Sequence, residues 1–421
     1  MDCLFELPLS AARELSLRRA CQIALLLDRL EDICEREFFP GWLVTLKLDD
    51  LPRYATPFFW LNVNRCHAAC HNAGLESVIA LRYLLMTGLD AFFPVMPDGF
   101  FCRLPAGDDP VIVLPRMGVR LPASKSAIRL CRIRRDSLRV ENDEGVELTV
   151  PLNAVPASAR LALLQVGSRD SGRLLPHSHP ALFPGSSAAD RPICPTNSAE
   201  QAARITAALR LIQEVDPRQG EQIENGIKWY ASLISPNSET HRPRAVPNLR
   251  GVIFLPPAEN KWILAEAIVH EYYREVLHAR MELEELLTFG DEPRFYSPWR
   301  DDPLPLAGLL HSLYVRGGVV EFMRQAEASS CLAAERHALR DRRRLLVEQL
   351  RLGYAQAPLE HFTMEGRKLL AGLKAIIDRH ETELDLPRGR LPDALLAHLR
   401  GWCAAHLDLA VQVRRPVRSD A

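Results

Sequence analysis

Residues 249–281 constrain the fold more than any other segment, because a short apolar run is followed there by a long helix signal. Leu249 to Pro256 has the sequence Leu-Arg-Gly-Val-Ile-Phe-Leu-Pro, and a short apolar run bounded by Gly and Pro is typical of a buried strand. Lys261 to Met281 has apolar residues at helical spacing. The segment therefore predicts one buried strand directly ahead of a long helix.

The predicted helix contains a His-Glu pair of the kind used in metal chemistry. His270 and Glu271 match the first half of an HExxH motif, in which two histidines four residues apart bind one metal and the glutamate polarises its water. The position of the second histidine is occupied by Arg274. A guanidinium is always protonated and offers no lone pair to a metal. His278 does not replace the missing ligand, since it would lie about 12 Å along the helix and roughly 80° around it.

The remainder of the C-terminal half is predicted to be mostly helical. Ser198–Val215 and Gln219–Leu233 are predicted as a pair of helices interrupted at Asp216-Pro217. Further helices are predicted to begin near Leu304, Glu327, Thr363 and Leu391.

In the N-terminal half, the spacing of apolar residues changes from a helical pattern to the short runs typical of strands. Helices are predicted over about 10–37 and 74–87, and the short β-branched runs between about 92 and 152 predict an antiparallel sheet. Several arginines fall in this section, namely Arg129, Arg132, Arg134, Arg135 and Arg139. They form either a solvated strand face or a docking surface for an acidic peptide segment.

The length and composition indicate more than one domain. A chain of 421 residues exceeds what one hydrophobic core usually organises. Residues 167–197 are rich in Ser, Pro and Gly and are predicted to form a linker. The expected organisation is an N-terminal α+β domain over 1–166, a candidate for peptide docking, and a helical domain over 198–421. The predicted fold class is α+β, mostly helical, with the antiparallel section in the N-terminal half.

Charge and cysteine content favour a cytoplasmic protein without a nucleic-acid or membrane partner. The formal charge of -1 provides no general attraction to polyanions. The sequence has no secretory signal pattern and no apolar run long enough to span a bilayer. Ten scattered cysteines suit reduced core thiols. Cys66-His67 and Cys70-His71 have a spacing that could bind a soft metal, but a structural role is the better interpretation.

The segment after the His270 helix has an unusual order of residues. Phe295-Tyr-Ser-Pro-Trp-Arg-Asp-Asp-Pro precedes a helix that begins near Pro-Leu-Ala-Gly-Leu-Leu-His-Ser-Leu-Tyr. Together with the strand and the His-Glu helix, residues 249–325 resemble the HExxH-motif peptide-modification proteins found beside ribosomally synthesised peptide precursors. The resemblance implies a zincin-like helical C-terminal domain and a tailoring enzyme of natural product biosynthesis that acts on a precursor peptide.

The resemblance also implies a site. Some members of the family look like non-haem iron, 2-oxoglutarate dependent hydroxylases of a peptide side chain, so Fe(II) and 2-oxoglutarate are the expected cofactors, unless Arg274 leaves the protein with none. His270, Glu271 and His311 are the implied metal ligands, and His270, Glu271 and Arg274 the implied catalytic set. Arg300, Tyr296 and Tyr314 are the implied cofactor-binding residues, with a carboxylate held by Arg274 or Arg300.

Each of these residues also has an ordinary structural interpretation. Arg300 and the two aspartates after it could cap the next helix, Tyr296 and Tyr314 could be core aromatics, and Arg274 could form an ion pair with Glu271 that closes the site. Three functions therefore stay open: an oxidative peptide-tailoring enzyme, a metal-free homologue that binds a precursor peptide or a partner biosynthetic enzyme, and a zinc metallopeptidase.

Overall fold

The computed structural model describes residues 198–227, 229–232, 251–255, 260–288, 292–387, 391–410 and 413, together with short strands between residues 100 and 174. Gly167, Leu4, Glu14 and Arg18 are described as well. The predicted helix at 74–87 and the Cys66 to His71 cluster lie outside the described residues, as does most of the predicted helix at 10–37. The side chains of the arginine cluster between Arg129 and Arg139 lie outside them too.

Helix is the main secondary structure in the part of the chain that the structure describes. In chain order the helices are α1 (Ser198–Val215), α2 (Pro217–Gly226), α3 (Lys261–Leu283), α4 (Leu306–Ala328), α5 (Arg336–Tyr354), α6 (Met364–Glu383), α7 (Asp393–Ala405) and α8 (Leu407–Ala410). Short 3₁₀ turns at Ser330–Leu332 and Leu359–His361 precede α5 and α6. None of these described helices has the length and apolar character needed to cross a membrane.

The described strands are short. They are β1 (Phe100–Leu104), β2 (Ile112–Leu114), β3 (Val119–Leu121), β4 (Ile128–Arg134), β5 (Ser137–Asn142), β6 (Glu147–Pro151), β7 (Gln165–Val166), β8 (Gly172–Leu174), β9 (Trp229–Ser232) and β10 (Val252–Leu255). The backbone pairs in the orders β1-β4-β5-β6, β10-β9-β8-β7 and β2-β3. β9 and β10 are parallel. Most of residues 1–166 lie outside the described part, so the antiparallel N-terminal section stays a prediction.

The chain divides into two compact units. The first contains Met1–Ala12, Ala207–Gly226 and Ala258–Ala421, and the second contains Arg13–Thr206 and Ile227–Pro257. The division falls inside α1 and assigns β9 and β10 to the second unit. The domain boundaries predicted at residues 166 and 198 stay predictions, as does the zincin-like character of the C-terminal half.

Helices α3 and α4 pack against each other in the first unit. The Asn260 side chain caps α3 by accepting a hydrogen bond from the Trp262 backbone N–H at 3.0 Å, which satisfies a donor that the first turn leaves unpaired. Gly318 of α4 lies so close to the Tyr273 ring that a Cβ there would overlap it. His278, further along α3, contacts His311, which lies earlier on α4. These two contacts run in opposite chain directions, so α3 and α4 are antiparallel.

The core of this unit fills the space between its helices with aliphatic and aromatic side chains. The fully buried side chains on α3 and α4 include Leu264, Ile268, Val269, Leu277, Leu309, Leu310, Leu313, Tyr314 and Val320. At about 25 cal/mol per Å² of apolar surface, burial of each large side chain is worth roughly 1.5 to 3 kcal/mol. This packing holds the His-Glu helix in place.

Two predictions of local structure need correction. The helix predicted over Gln219–Leu233 ends at Gly226, and Trp229–Ser232 is a strand instead. Glycine favours a helix end. Pairing with β10 provides hydrogen-bond partners for the backbone N–H and C=O groups of this apolar segment. The helix predicted from about Glu327 begins at Arg336, because α4 continues to Ala328. The strand near 252–255 and the helix from Lys261 are confirmed.

Candidate functional site

His270 and Glu271 lie next to each other on α3 but in different surroundings. The Glu271 side chain has no exposed surface, whereas the His270 side chain is 23% exposed. Nδ1 of His270 is 3.1 Å from Oε1 of Glu271, so the imidazole and the carboxylate form a hydrogen bond. The other carboxylate oxygen, Oε2, is buried and has no hydrogen-bond partner among the described residues. A buried carboxylate needs a compensating charge.

Arg274 supplies that charge. Its Nη1 is 3.7 Å from Oε2 of Glu271, and its side chain is 20% exposed. This separation is too long for a hydrogen bond, but it is short enough for a strong Coulomb attraction in a partly buried site. The residue that replaces the second motif histidine therefore forms an ion pair with the motif glutamate.

His311 approaches the same stretch of α3 from α4. Its ring centroid lies 5.8 Å from that of His278. Its Nε2 is buried without a hydrogen-bond partner among the described residues. Burial lowers the pKa of His311 well below its usual value of 6.5, and electrostatic interactions with Arg274, His270, His278 and Arg316 lower it further. His311 is therefore neutral at physiological pH, in a region of positive potential.

A metal site would need the side chains of His270, Glu271 and His311 to converge on one point. Among the described residues, no three His, Cys, Asp or Glu side chains converge as a metal site requires. A guanidinium stands 3.7 Å from the carboxylate oxygen that a metal would need. Glu321, an alternative carboxylate, accepts a hydrogen bond from Nε2 of His380 at 2.8 Å and is paired with Arg379. As placed, these residues do not fit a bound metal ion.

Arg316 adds a second permanent positive charge beside His311. Its Nη1 lies 3.4 Å from the carbonyl oxygen of Ser312, the residue after His311. Its guanidinium carbon stacks 4.4 Å from the centre of the Trp299 ring, and Nε1 of Trp299 donates to Oε1 of Gln349 at 3.0 Å. The Pro-Trp-Arg segment thus contributes to this region through its tryptophan, which orients Arg316 by a cation–π contact.

Tyr314 does not face this region with a free hydroxyl. It has no exposed surface, and its hydroxyl donates a hydrogen bond of 2.9 Å to the backbone carbonyl of Leu4. Burial raises the pKa of the Tyr314 phenol, which keeps it a donor. The Leu4 side chain contacts Gly372 of α6. Tyr314 therefore contacts Leu4 of the same unit through this hydrogen bond, and its cofactor-binding role stays a prediction.

Tyr296 and Asp301 both contact His398 of helix α7. The buried Tyr296 hydroxyl is 2.9 Å from Nδ1 of His398, and Nε2 of His398 is 3.4 Å from Oδ1 of Asp301. Burial raises the Tyr296 pKa, so the phenol stays protonated in its hydrogen bond with the imidazole. Arg300 is exposed. Helix α4 begins at Leu306 without a side-chain cap, so neither aspartate nor Arg300 caps it. Cofactor binding by Arg300 and Tyr296 also stays a prediction.

Three residues of these clusters were not selected from the sequence as site residues: His278, Arg316 and His398. His278 continues a stripe that begins at His270 and passes through Arg274 at steps of four residues, and positions at this spacing lie near one another on a helix surface. That stripe was a usable signal. The Trp299–Arg316 stack and the Tyr296–His398 bond join residues far apart in the chain, so only tertiary structure reveals them.

Comparison of the chain with protein-family models finds no match, and comparison with curated proteins finds none either.

Proposed function

We propose that this chain is a metal-free homologue of the HExxH peptide-modification proteins that binds a precursor peptide or a partner biosynthetic enzyme. The ion pair between Glu271 and Arg274 carries the proposal. In an HExxH enzyme the glutamate must reach the metal-bound water. Here its side chain is fully buried and faces a permanent cation instead.

The peptide-binding part of the proposal rests on the resemblance of residues 249–325 to that family and on the partly open surface of the site. His270 and Arg274 are each about a fifth exposed. Partly exposed polar side chains of this kind can form hydrogen bonds and ion pairs with a ligand.

A competing proposal is the oxidative tailoring enzyme that uses Fe(II) and 2-oxoglutarate. Two buried atoms without hydrogen-bond partners among the described residues favour it, Nε2 of His311 and Oε2 of Glu271. The neutral imidazole of His311 is also the form that binds metals. The zinc metallopeptidase is the third proposal, and it needs the second motif histidine that Arg274 replaces.

One experiment separates these functions. The protein is reconstituted anaerobically with Fe(II), or separately with Zn(II), desalted, and analysed for metal by mass spectrometry beside His270→Ala. We expect no bound metal in either protein. Stoichiometric iron that is lost in His270→Ala, with a gain of one oxygen on a co-expressed precursor peptide, would establish the hydroxylase. Zinc with cleavage of that peptide would establish the peptidase.

The binding function has its own measurement. If a neighbouring short open reading frame encodes a precursor-like peptide, that peptide is the ligand to test, and isothermal titration measures its affinity. Binding with an unchanged peptide mass is the expected result. A peptide that neither binds nor changes would contradict the proposal.

A further inference from the structure

We propose that α4 and α6 form a binding site for a leucine residue of a peptide segment, and that Leu4 of the same chain fills this site as an internal ligand. The site consists of the Tyr314 hydroxyl on α4 and the space beside Gly372 on α6. It is separate from the His270–Glu271 pair and does not depend on the function proposed above. A leucine-bearing peptide from outside would bind there by displacing Leu4.

The first contact recognises the main chain of the bound residue. The Tyr314 hydroxyl donates a hydrogen bond of 2.9 Å to the carbonyl oxygen of Leu4. Tyr314 has no exposed surface, and a buried hydroxyl is costly unless its proton has an acceptor. Every residue carries a carbonyl group, so this contact holds a peptide backbone without depending on its sequence.

The second contact recognises the side chain. A Cβ added at Gly372 would lie 2.9 Å from Cδ1 of Leu4, 3.1 Å from Cδ2 and 3.5 Å from Cγ. The branched end of the leucine therefore occupies the space that a side chain on α6 would fill. Glycine destabilises a helix interior relative to alanine, and the packing of Leu4 is a physical reason for glycine at this position. Together the two contacts select a residue with an apolar side chain.

These contacts are of the kind that short peptide segments make with a groove. Main-chain hydrogen bonds provide affinity there, and a pocket for a side chain provides specificity. Leu4 is half-buried, so its position is accessible from solvent. Because Leu4 is tethered to the site by its own chain, it competes at a high effective concentration and excludes an outside peptide of similar intrinsic affinity. The contact is therefore autoinhibitory for peptide binding at this site.

Fluorescence anisotropy tests the proposal with a labelled synthetic peptide of residues 1–9, Met-Asp-Cys-Leu-Phe-Glu-Leu-Pro-Leu, in a reducing buffer. The protein is the full chain, as wild type and as Leu4→Asp, which places a charge against the apolar site and so vacates it. We expect the peptide to bind Leu4→Asp about tenfold or more tightly than the wild-type protein, because the internal competitor is gone. Leu4→Gly, a milder change, should shift the affinity in the same direction.

Two further substitutions, each added to Leu4→Asp, locate the bound peptide. Gly372→Ala fills the space beside α6 and should reduce the affinity about tenfold. Alanine strengthens a helix interior relative to glycine, so unfolding of α6 would not explain that loss. Tyr314→Phe removes the hydrogen-bond donor and should reduce the affinity about three- to tenfold.

The chain and the peptide each provide a matched control. No described atom lies within 4 Å of a Cβ added at Gly401 of α7, so Gly401→Ala should leave the peptide affinity unchanged. The same peptide with Asp in place of Leu4 should bind none of these proteins. Circular dichroism of each variant measures whether its helix content is retained.

Three results would overturn the proposal. Equal binding of the peptide to the wild-type protein and to Leu4→Asp would mean that Leu4 does not compete for the site. A peptide that binds neither protein would show that the Leu4 contact is structural only. Affinity that Gly372→Ala leaves unchanged would place the peptide elsewhere. None of these results bears on the binding of a precursor peptide, which is measured with a different ligand.

Discussion

Replacement of Arg274 by methionine tests whether the motif glutamate depends on this residue for its charge. Methionine keeps much of the apolar volume of the arginine stem and removes the guanidinium. At 3.7 Å and an effective dielectric constant of about 20, the lost Coulomb attraction is roughly 4.5 kcal/mol. The Glu271 side chain has no exposed surface, so water cannot compensate it. Breaking a buried ion pair from one side costs about 3 to 5 kcal/mol.

We expect Arg274→Met to lower the free energy of unfolding by about 3 kcal/mol, the lower end of that range, because Arg274 itself is partly exposed. Urea denaturation followed by circular dichroism measures this loss. Lys368→Met is the matched control, since Glu365 and Lys368 have the same three-residue spacing on an exposed helix face. The control should cost about 0.5 kcal/mol.

The reasoning is refuted if Arg274→Met costs no more than Lys368→Met. The double variant Arg274→Met with Glu271→Gln should recover part of the lost stability, because it no longer buries an unpaired charge. A double variant less stable than Arg274→Met would show that the hydrogen bond between Glu271 and His270 outweighs the cost of burying the carboxylate without Arg274.

Three further predictions follow from the ionisable groups and the buried phenol. The pKa of His311 is lower in the folded protein than the usual value of 6.5, so the unfolded chain binds more protons below that pH. The free energy of unfolding should therefore fall as the pH falls below about 6.5. In a series of urea midpoints measured at different pH values, His311→Gln should reduce this fall. Burial raises the pKa of Glu321, but the hydrogen bond and charge of His380 and the nearby arginines outweigh it and lower the pKa overall. The stability that Glu321 contributes is therefore present above the usual Glu pKa and lost as the pH falls through its lower folded value, and acid unfolding of Glu321→Gln should show less of that loss. Tyr314→Phe removes the hydrogen bond to the Leu4 carbonyl, should cost about 1 kcal/mol, and should increase amide exchange at the N-terminus in hydrogen exchange measured by mass spectrometry; unchanged exchange there would contradict that contact.

The helical elements of the C-terminal half were predictable because their signals are local. Helix α3 has both an Asn cap and apolar periodicity, and the strand at Val252–Leu255 is an apolar run without interruption. The strand at Trp229–Ser232 was missed, since helix and strand patterns are ambiguous in short apolar segments and pairing with a neighbouring strand decided the outcome.

The site was predictable only in part. The sequence identified the His270–Glu271 pair and raised the ion pair with Arg274 as one of two roles for the arginine, because residues three and four apart on a helix are neighbours. It grouped Tyr296 and Tyr314 with the site by their position in the motif. The structure gives their hydroxyls other partners, His398 and Leu4, which lie 102 and 310 residues away in the chain. Contacts of this range depend on how the helices pack.

Metal analysis of Arg274→His beside the wild-type protein tests the central claim most directly. Both proteins are incubated anaerobically with Fe(II) or Zn(II), desalted and analysed for bound metal. The account predicts that the wild-type protein retains none and that Arg274→His, in which a second imidazole replaces the cation facing Glu271, gains metal. Stoichiometric metal in the wild-type protein, lost on His270→Ala, would contradict it.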